Sequence, residues 1–338
     1  HDLLPTGRAV TSPPDRSWIE DLHAAHETWG RAPSAHNTQP GIVRPDGDSV
    51  VIDWDPAREL VVADPTRRDL WLSLGALAEC LVIAAGDLGH TLGVDWQVDA
   101  RRHRAARLTR RSSAVTVEAP FTAEDLRARR TARGAYVEPR VTGQEVAAVT
   151  AAADLPAEQR LDILPIDLVK TLLPQADAWS FGSTPQVDEL RSWLRLSPSH
   201  PAYRSDGLTD TALALSRSEA RALETALHPR SWAALRHLGG PTLLAKASTR
   251  SGLGTVVAFH TSADRAQTPT EVADAGRALL RTWLAAARHG LHVHPLSQLI
   301  DAPATAAALQ SHLGPDRRAL SVFRIGRPES PPVRSHRL

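Results

Sequence analysis

The sequence predicts an α+β protein of two related halves, with antiparallel or mixed sheets flanked by helices. Strand-like alternation appears early, in "DSVVIDWD" (48–55), and again late, in "GTVVAFHTS" (254–262) and "RALSVFRIG" (318–326). Two long Ala/Leu-rich stretches, 69–88 and 268–290, carry helical apolar spacing between these strands. The stretches Gly75 to Gly89 and Gly276 to Gly290 each span fourteen positions and can be laid over one another, which suggests that the halves are related.

In chain order, "WIEDLHAAHETWGRA" keeps helical spacing through Trp18, Leu22, Ala25 and Trp29 after a Pro- and Ser-containing start that is expected to be mobile. A Pro-bounded polar loop follows, then the 48–55 strand and a turn at Asp64-Pro65. The 69–88 segment is apolar on most faces, so it is a central buried helix, closed by Gly89. The basic stretch "DARRHRAARLTRR" leads to a short strand, 114–118, and is expected at a solvated strand edge. Two short helices flank "RRTARGAYVEPRVTGQEV", the second opened by a capping box of Thr142 and Glu145. Residues 191–210 are Pro-, Ser- and Gly-punctuated and read as a surface loop or lid, too polar for core. The helix from 268 has Thr268 as N-cap, Pro269 at its first position, Glu271 at N3 and Gly290 past its end.

Composition excludes several classes. The 338 residues carry 39 basic and 38 acidic side chains, a net charge of +1, so no global field favours nucleic acid or an anionic membrane. The arginines of 101–111 have no interleaved aromatics on which bases could stack. A single cysteine, Cys80, excludes an intrachain disulfide or a multi-Cys zinc site and reads as a small core hydrophobe. No unbroken apolar run approaches the ~20 residues that span a bilayer, and no signal-like core opens the chain, so a soluble, cytoplasmic protein is expected. Neither G-x-G-x-x-G, a P-loop nor G-x-S-x-G occurs, and His292 and His294 lack an acidic third ligand, so no metal is expected.

Two polar clusters remain. "APSAHNTQPG" (32–41) places hydrogen-bonding side chains between two prolines, and "RRTARGAY" (129–136) gathers guanidiniums suited to forked phosphate binding. The first resembles the A-P-S-x-x-N-x-Q-P-W signature of the FMN-dependent nitroreductase superfamily, and the second resembles its R-R-S-x-R motif. Further resemblances follow in order: "VADPTRRDLWLSLGA", "DGL" at 206–208, "AGRALLRTWLAAARHGL" with "HPLSQ", and the terminal "VFRIGRPESPPVRSHR". The family's ordinary members carry the arginine motif first and hold FMN at a homodimer interface. The inverted order here resembles the actinobacterial Acg-like branch, in which two halves are fused into an internal pseudo-dimer with one FMN site.

That resemblance implies a first half, 1–118, with the loop, and a second half, 119–338, with the arginine motif, a lid at about 180–215 and the terminal arginines. It implies FMN contacts from Pro33, Ser34, Asn37 and Gln39 around the ring, and from Arg129, Arg130, Thr131 and Arg133 at the phosphate and ribityl end or the pyrimidine edge. Arg334 or Arg337 would add charge beside the phosphate, and Ser297 or Gln298 would offer a backbone N–H to flavin N5. No catalytic side chain is required; His200 and Tyr203 of the lid are the candidate proton donors. The implied activity passes electrons between NAD(P)H or an organic substrate and a nitro, quinone, enone or O₂ acceptor. A biosynthetic dehydrogenase or oxidase and a flavin-storing protein are the alternatives, and a monomer or weak homodimer is expected. Two positions depart from the pattern: Gly41 replaces a tryptophan, and Arg67-Arg68-Asp69 stands for Gly-Arg-Glu.

Overall fold

The computed structural model describes residues 17–111, 120–240 and 252–338; the expected 114–118 strand and the N-terminal start lie outside them. Ser17 caps α1 (Trp18–Ala24), and its reciprocal bond with Glu20 closes a capping box. The predicted single helix breaks at Ala25 and resumes as α2 (His26–Trp29). Strands β1 (Gly41–Asp46) and β2 (Ser49–Trp54) form a hairpin turned at Gly47, whose φ is +64°. Helix α3 (Arg68–Asp87) follows, then β3 (Leu92–Asp99) and β4 (Arg104–Arg110).

These strands make a four-stranded antiparallel sheet in the order β1-β2-β4-β3. The basic stretch is therefore not a sheet edge. β4 is an interior strand: Ala105, Ala106 and Leu108 are buried, while Arg104 and Arg107 are tied to Asp53 and Asp46 at the sheet surface. Alternation hid this because the short alanines register poorly as apolar beside six arginines.

The second part begins with α4 (Ala123–Ala128), β5 (Tyr136–Val137) and α5 (Gly143–Ala152), the last opened by the Thr142–Glu145 box. β6 (Arg160–Ile163), α6 (Ile166–Gly182) and α7 (Thr184–Trp193) lead to a parallel pair, β7 (Leu194–Arg195) and β8 (Leu208–Thr209). After α8 (Arg217–Leu227) and α9 (Pro229–Leu235) come β9 (Thr255–Ser262), α10 (Pro269–Arg288), β10 (His292–Pro295), α11 (Gln298–Asp301), α12 (Pro303–Leu313) and β11 (Arg317–Pro328). The second sheet is antiparallel in the order β10-β11-β9-β6, with β5 added to the end of β11.

The two 20-residue helices, α3 and α10, cross in the largest of the three buried apolar clusters among the described residues, which draws residues from both parts. A Cβ on Gly75 would lie 1.8 Å from the carbonyl oxygen of Ala273, and one on Gly276 would lie 2.3 Å from that of Leu72. Both pairs share one offset, 201 residues (Gly75 to Gly276, Leu72 to Ala273). Such a reciprocal contact is what a two-fold relation between the helices produces. Beside the crossing, Glu79 of α3 is buried and held by Arg277 at 2.7 Å and Arg281 at 3.2 Å from α10.

By length and composition α3 could cross a bilayer, which the absence of an unbroken apolar run did not anticipate. Of its most apolar window 78% is buried inside the protein, as a core helix requires. The 191–210 region is also less polar than expected. Leu194, Leu196 and Leu208 are buried with Val187, Ala220, Leu227 and Trp232 in a separate apolar cluster.

Candidate functional site

Pro33 and Pro40 bracket a tight turn in which His36, Asn37 and Gln39 all have positive φ (48°, 56° and 52°). Left-handed backbone at three non-glycine residues persists only where surroundings fix it. The Ser34 hydroxyl accepts from the Gln39 amide at 2.9 Å, and the Arg58 guanidinium donates to the Thr38 carbonyl at 2.8 Å.

The arginine motif starts at the C-terminus of α4, where Arg129 ends the helix. It is stitched to β10 by a bridge between Thr131 and Val293 and by the Ala132 amide donating to the Val293 carbonyl at 3.0 Å. Arg324, buried on β11, donates to the carbonyls of Arg133 (2.7 Å) and Gly134 and lies over the Tyr136 ring. The Tyr136 hydroxyl donates to the Ala132 carbonyl at 2.9 Å. Sequence reasoning missed both of these holding residues. The available signal was a lone arginine inside the otherwise apolar "SVFRIG" strand.

Loop and motif share one open cavity. It is lined by Pro33, Ser34, Asn37, Arg129, Arg130, Thr131, Arg133, Arg334 and Arg337, nine of the twelve residues expected at a cofactor, joined by Arg31, Val333 and Ser335. Gln39 lines an adjoining cavity with Trp29, Gly41, Ser73 and Leu77. Ser297 and Gln298 line neither cavity; the Gln298 amide donates to Asp177 of α6 at 3.0 Å.

Six guanidiniums face the first cavity, and among the described residues none pairs with a carboxylate. Arg129 is 7% exposed and among the described residues its Nη1 has no hydrogen-bond partner, while its Nη2 donates to the Arg31 carbonyl at 3.3 Å. Burial, followed by repulsion from neighbouring arginines, pulls the pKa of Arg129 and Arg133 down to about 10 and that of Arg337 to about 9. All remain cationic at neutral pH. Their charge is concentrated and unbalanced, as an anion site requires.

Asn37 and Gln39 hold two other segments. The Asn37 amide donates to the Gly207 carbonyl at 3.1 Å and the His336 carbonyl at 3.2 Å, and its oxygen accepts from Arg337. Gln39 donates to the Ser205 carbonyl at 2.8 Å and accepts from the Leu338 amide at 2.9 Å. Between Ser205 and Gly207, buried Asp206 is clamped by Arg58 at 3.1 Å and Arg195 at 2.9 Å. The expected lid thus rests on the loop. Tyr203 and His200 line neither cavity; the Tyr203 hydroxyl donates to Asp210 at 2.7 Å, and the His200 ring accepts from the Ala202 amide.

The departures from the pattern have visible consequences. Gly41 borders the second cavity, yet a Cβ there would fall 2.3 Å from a Leu77 methyl, so leucine occupies the space directly over it. Arg67 sits at φ +58°, where the pattern's glycine would be at ease, and is held by Glu59 at 2.9 Å. Arg68 pairs with Asp69 at 2.8 Å and with Asp301 of α11 at 2.9 Å.

No family model and no curated protein matches the chain. Among solved structures, an FMN-bound nitroreductase from Bacteroides fragilis is 14% identical, covering 64% of this chain and 92% of its own, with a TM-score of 0.36. The FMN- and NADPH-dependent nitroreductase NfnB of a Sphigopyxis strain is 18% identical, over 63% of this chain and 93% of its own, at a TM-score of 0.36. NfnB of Mycobacterium smegmatis, in complex with NADPH, is 16% identical, over 61% and 86%, at 0.36. Likenesses this distant leave the functional argument to the site itself.

Proposed function

We propose that the chain is an FMN-dependent oxidoreductase of nitroreductase type, in which two related halves, 1–118 and 119–338, close around one flavin as an internal pseudo-dimer. The observation that carries this reading is the shared cavity. The loop and the arginine motif, singled out separately by sequence, face each other there around a buried Arg129 whose Nη1 lacks a partner.

The residues present suit the group. A terminal phosphate needs charge-assisted donors, and Arg129, Arg133 and Arg337 supply them with no competing carboxylate among the described residues. Asn37 and Gln39 both donate and accept, which suits the mixed edge of a flavin ring once they exchange their present partners. When bound, FMN supplies hydride acceptance and donation between a reductant such as NAD(P)H and an organic or O₂ acceptor. The chain's part is to neutralise the phosphate, to fix the motif through Arg324 and Tyr136, and to limit solvent access with the 195–210 segment. We place it in the cytoplasm, as a monomer or weak homodimer.

A second reading, flavin storage without turnover, is favoured by the hydrogen bonds that seat Ser205, Gly207, His336 and Leu338 on Asn37 and Gln39. Cofactor extraction and the visible spectrum of the purified chain test both readings, and anaerobic bleaching by NAD(P)H selects the enzyme. Arg133→Glu reverses a charge beside the phosphate and is expected to strip the flavin; full occupancy in that variant refutes the assignment.

A further inference from the structure

Residues 329–338, past the end of β11, carry no helix or strand and run across the cavity as a strap. Its first bond, from the Glu329 amide to the Ala135 carbonyl at 2.9 Å, fixes its start beside the arginine motif. Four of the twelve residues lining the arginine cavity belong to it: Val333, Arg334, Ser335 and Arg337. Leu338 lines the adjoining cavity. Val333, Arg334 and Leu338 are exposed, Ser335, His336 and Arg337 are half-buried, and none of the strap joins a buried apolar cluster. A segment without sheet, helix or core packing opens at low free energy.

The strap's bonds run mainly to the loop region of the first part. Arg31 donates to the Ser335 carbonyl at 3.1 Å and Asn37 to the His336 carbonyl at 3.2 Å, while the Leu338 amide donates to Gln39 at 2.9 Å. Arg337 donates to the Gly30 carbonyl at 3.1 Å and to the Asn37 side-chain oxygen. Arg334 donates to the Arg127 carbonyl at 2.9 Å, at the end of α4. Charge opposes these bonds. Arg334 and Arg337 bring two of the six guanidiniums into a cavity where Arg31, Arg129, Arg130 and Arg133 supply the other four and no carboxylate is among the lining residues. Those four sit on α4, the arginine motif and the loop, so the strap is the part that yields to the repulsion.

An anion reverses the sign. A phosphate in the cavity turns six mutually repelling charges into a common attraction, and the two on the strap can move to meet it. We propose that residues 333–338 form an anion-responsive strap, loosely seated in the anion-free protein, which a phosphate group in the cavity draws down so that it bridges the two parts of the chain. The proposal rests on the anion reading of the cavity and gives that site a regulation. Bound group and strap hold each other in place, so release of a phosphate-bearing cofactor waits on strap opening.

Hydrogen exchange of the 329–338 peptide, read by mass spectrometry on the full flavin-free chain, tests this with inorganic phosphate as the probe. Saturating phosphate is expected to slow exchange about tenfold or more, the worth of one charge-assisted bond, while sodium chloride at matched ionic strength does little. Arg129→Met removes a cavity cation that makes no bond to the strap. It should slow the strap's exchange in the anion-free protein and blunt the phosphate response, and Arg130→Gln should act in the same direction. An arginine with only a structural role would quicken exchange when removed. Exchange that ignores phosphate, that chloride slows equally, or that both substitutions leave unchanged or quicken overturns the proposal. FMN in place of phosphate separates it from the proposed function. Slowing by phosphate and not by FMN keeps the strap and sinks the flavin reading; slowing by FMN and not by phosphate keeps the flavin and sinks the strap.

Discussion

Replacing Arg129 with methionine should make the flavin-free protein more stable and its flavin weaker. The guanidinium is 7% exposed, its Nη1 is unsatisfied, and burial lowers its pKa from 12.5 to about 10. At about 1.4 kcal/mol per pKa unit this corresponds to a charge destabilised by about 3 kcal/mol. Because the folded-state pKa is depressed, that cost is present in full at pH 7 and disappears only as the pH rises through the folded value. Methionine keeps the unbranched stem and loses the bond to the Arg31 carbonyl, worth about 1 kcal/mol. A net gain of about 2 kcal/mol should therefore appear in urea denaturation of the flavin-free chain. Loss of a charge-assisted phosphate contact, about 1.5–3 kcal/mol, should weaken FMN roughly 10- to 100-fold in fluorescence titration. A variant that is destabilised, with unchanged FMN affinity, would show that Arg129 is a structural arginine and that the cavity is no phosphate site.

Gly75→Ala or Gly276→Ala should cost about 3 kcal/mol or more in denaturation, because each methyl meets backbone of the opposite helix, whereas Gly143→Ala, with open space around it, should cost nothing. Arg324→Met removes the donors that hold the Arg133 and Gly134 carbonyls; about 2–4 kcal/mol of stability and most of the flavin should be lost together, measured by denaturation and by cofactor content. Burial, with Asp69 adding and Arg68 opposing, raises Asp301 to about 7; burial and Asp69 also raise Asp64, to about 6. Raised carboxyl pKa values mean that the folded state holds extra protons above pH 4, so stability should fall by a few kcal/mol as pH climbs from 5 to 8. Asp301→Asn should flatten that slope; a profile unchanged by the substitution would contradict it.

What was legible follows from locality. The capping boxes at Thr142 and Thr268, the glycines past α3 and α10 and the late strands are each written within a few residues, and each is found where it was expected. The loop and the arginine motif were legible as chemistry because polar groups between prolines and clustered arginines have few uses in a core. The interior place of β4 was not legible, since pairing with both β2 and β3 is a long-range fact and Arg104 and Arg107 mask its buried alanines. The apolar cluster under residues 191–210 was hidden likewise, its members being spread from Val187 to Trp232. Arg324 could not be assigned to the arginine motif because strand β11 lies almost two hundred residues further along the chain.

The arrangement also explains why the site belongs to the whole chain and not to either part. Glu79 is buried at the helix crossing, and its charge is balanced only by Arg277 and Arg281 from the other part. Separating the parts would leave a carboxylate without its two cations, expose the apolar flanks of α3 and α10, and take the Asn37 loop away from Arg129 and Arg133. The glycine crossing works in the same direction, since backbone can approach backbone so closely only where neither helix carries a side chain. Stability and the integrity of the cavity are therefore coupled through one interface. A ligand that neutralises the arginines should raise the melting temperature of the entire chain in one transition rather than that of one half. Two resolved transitions, with only the later one shifted by FMN, would mean that the halves fold apart and that the cavity is not shared.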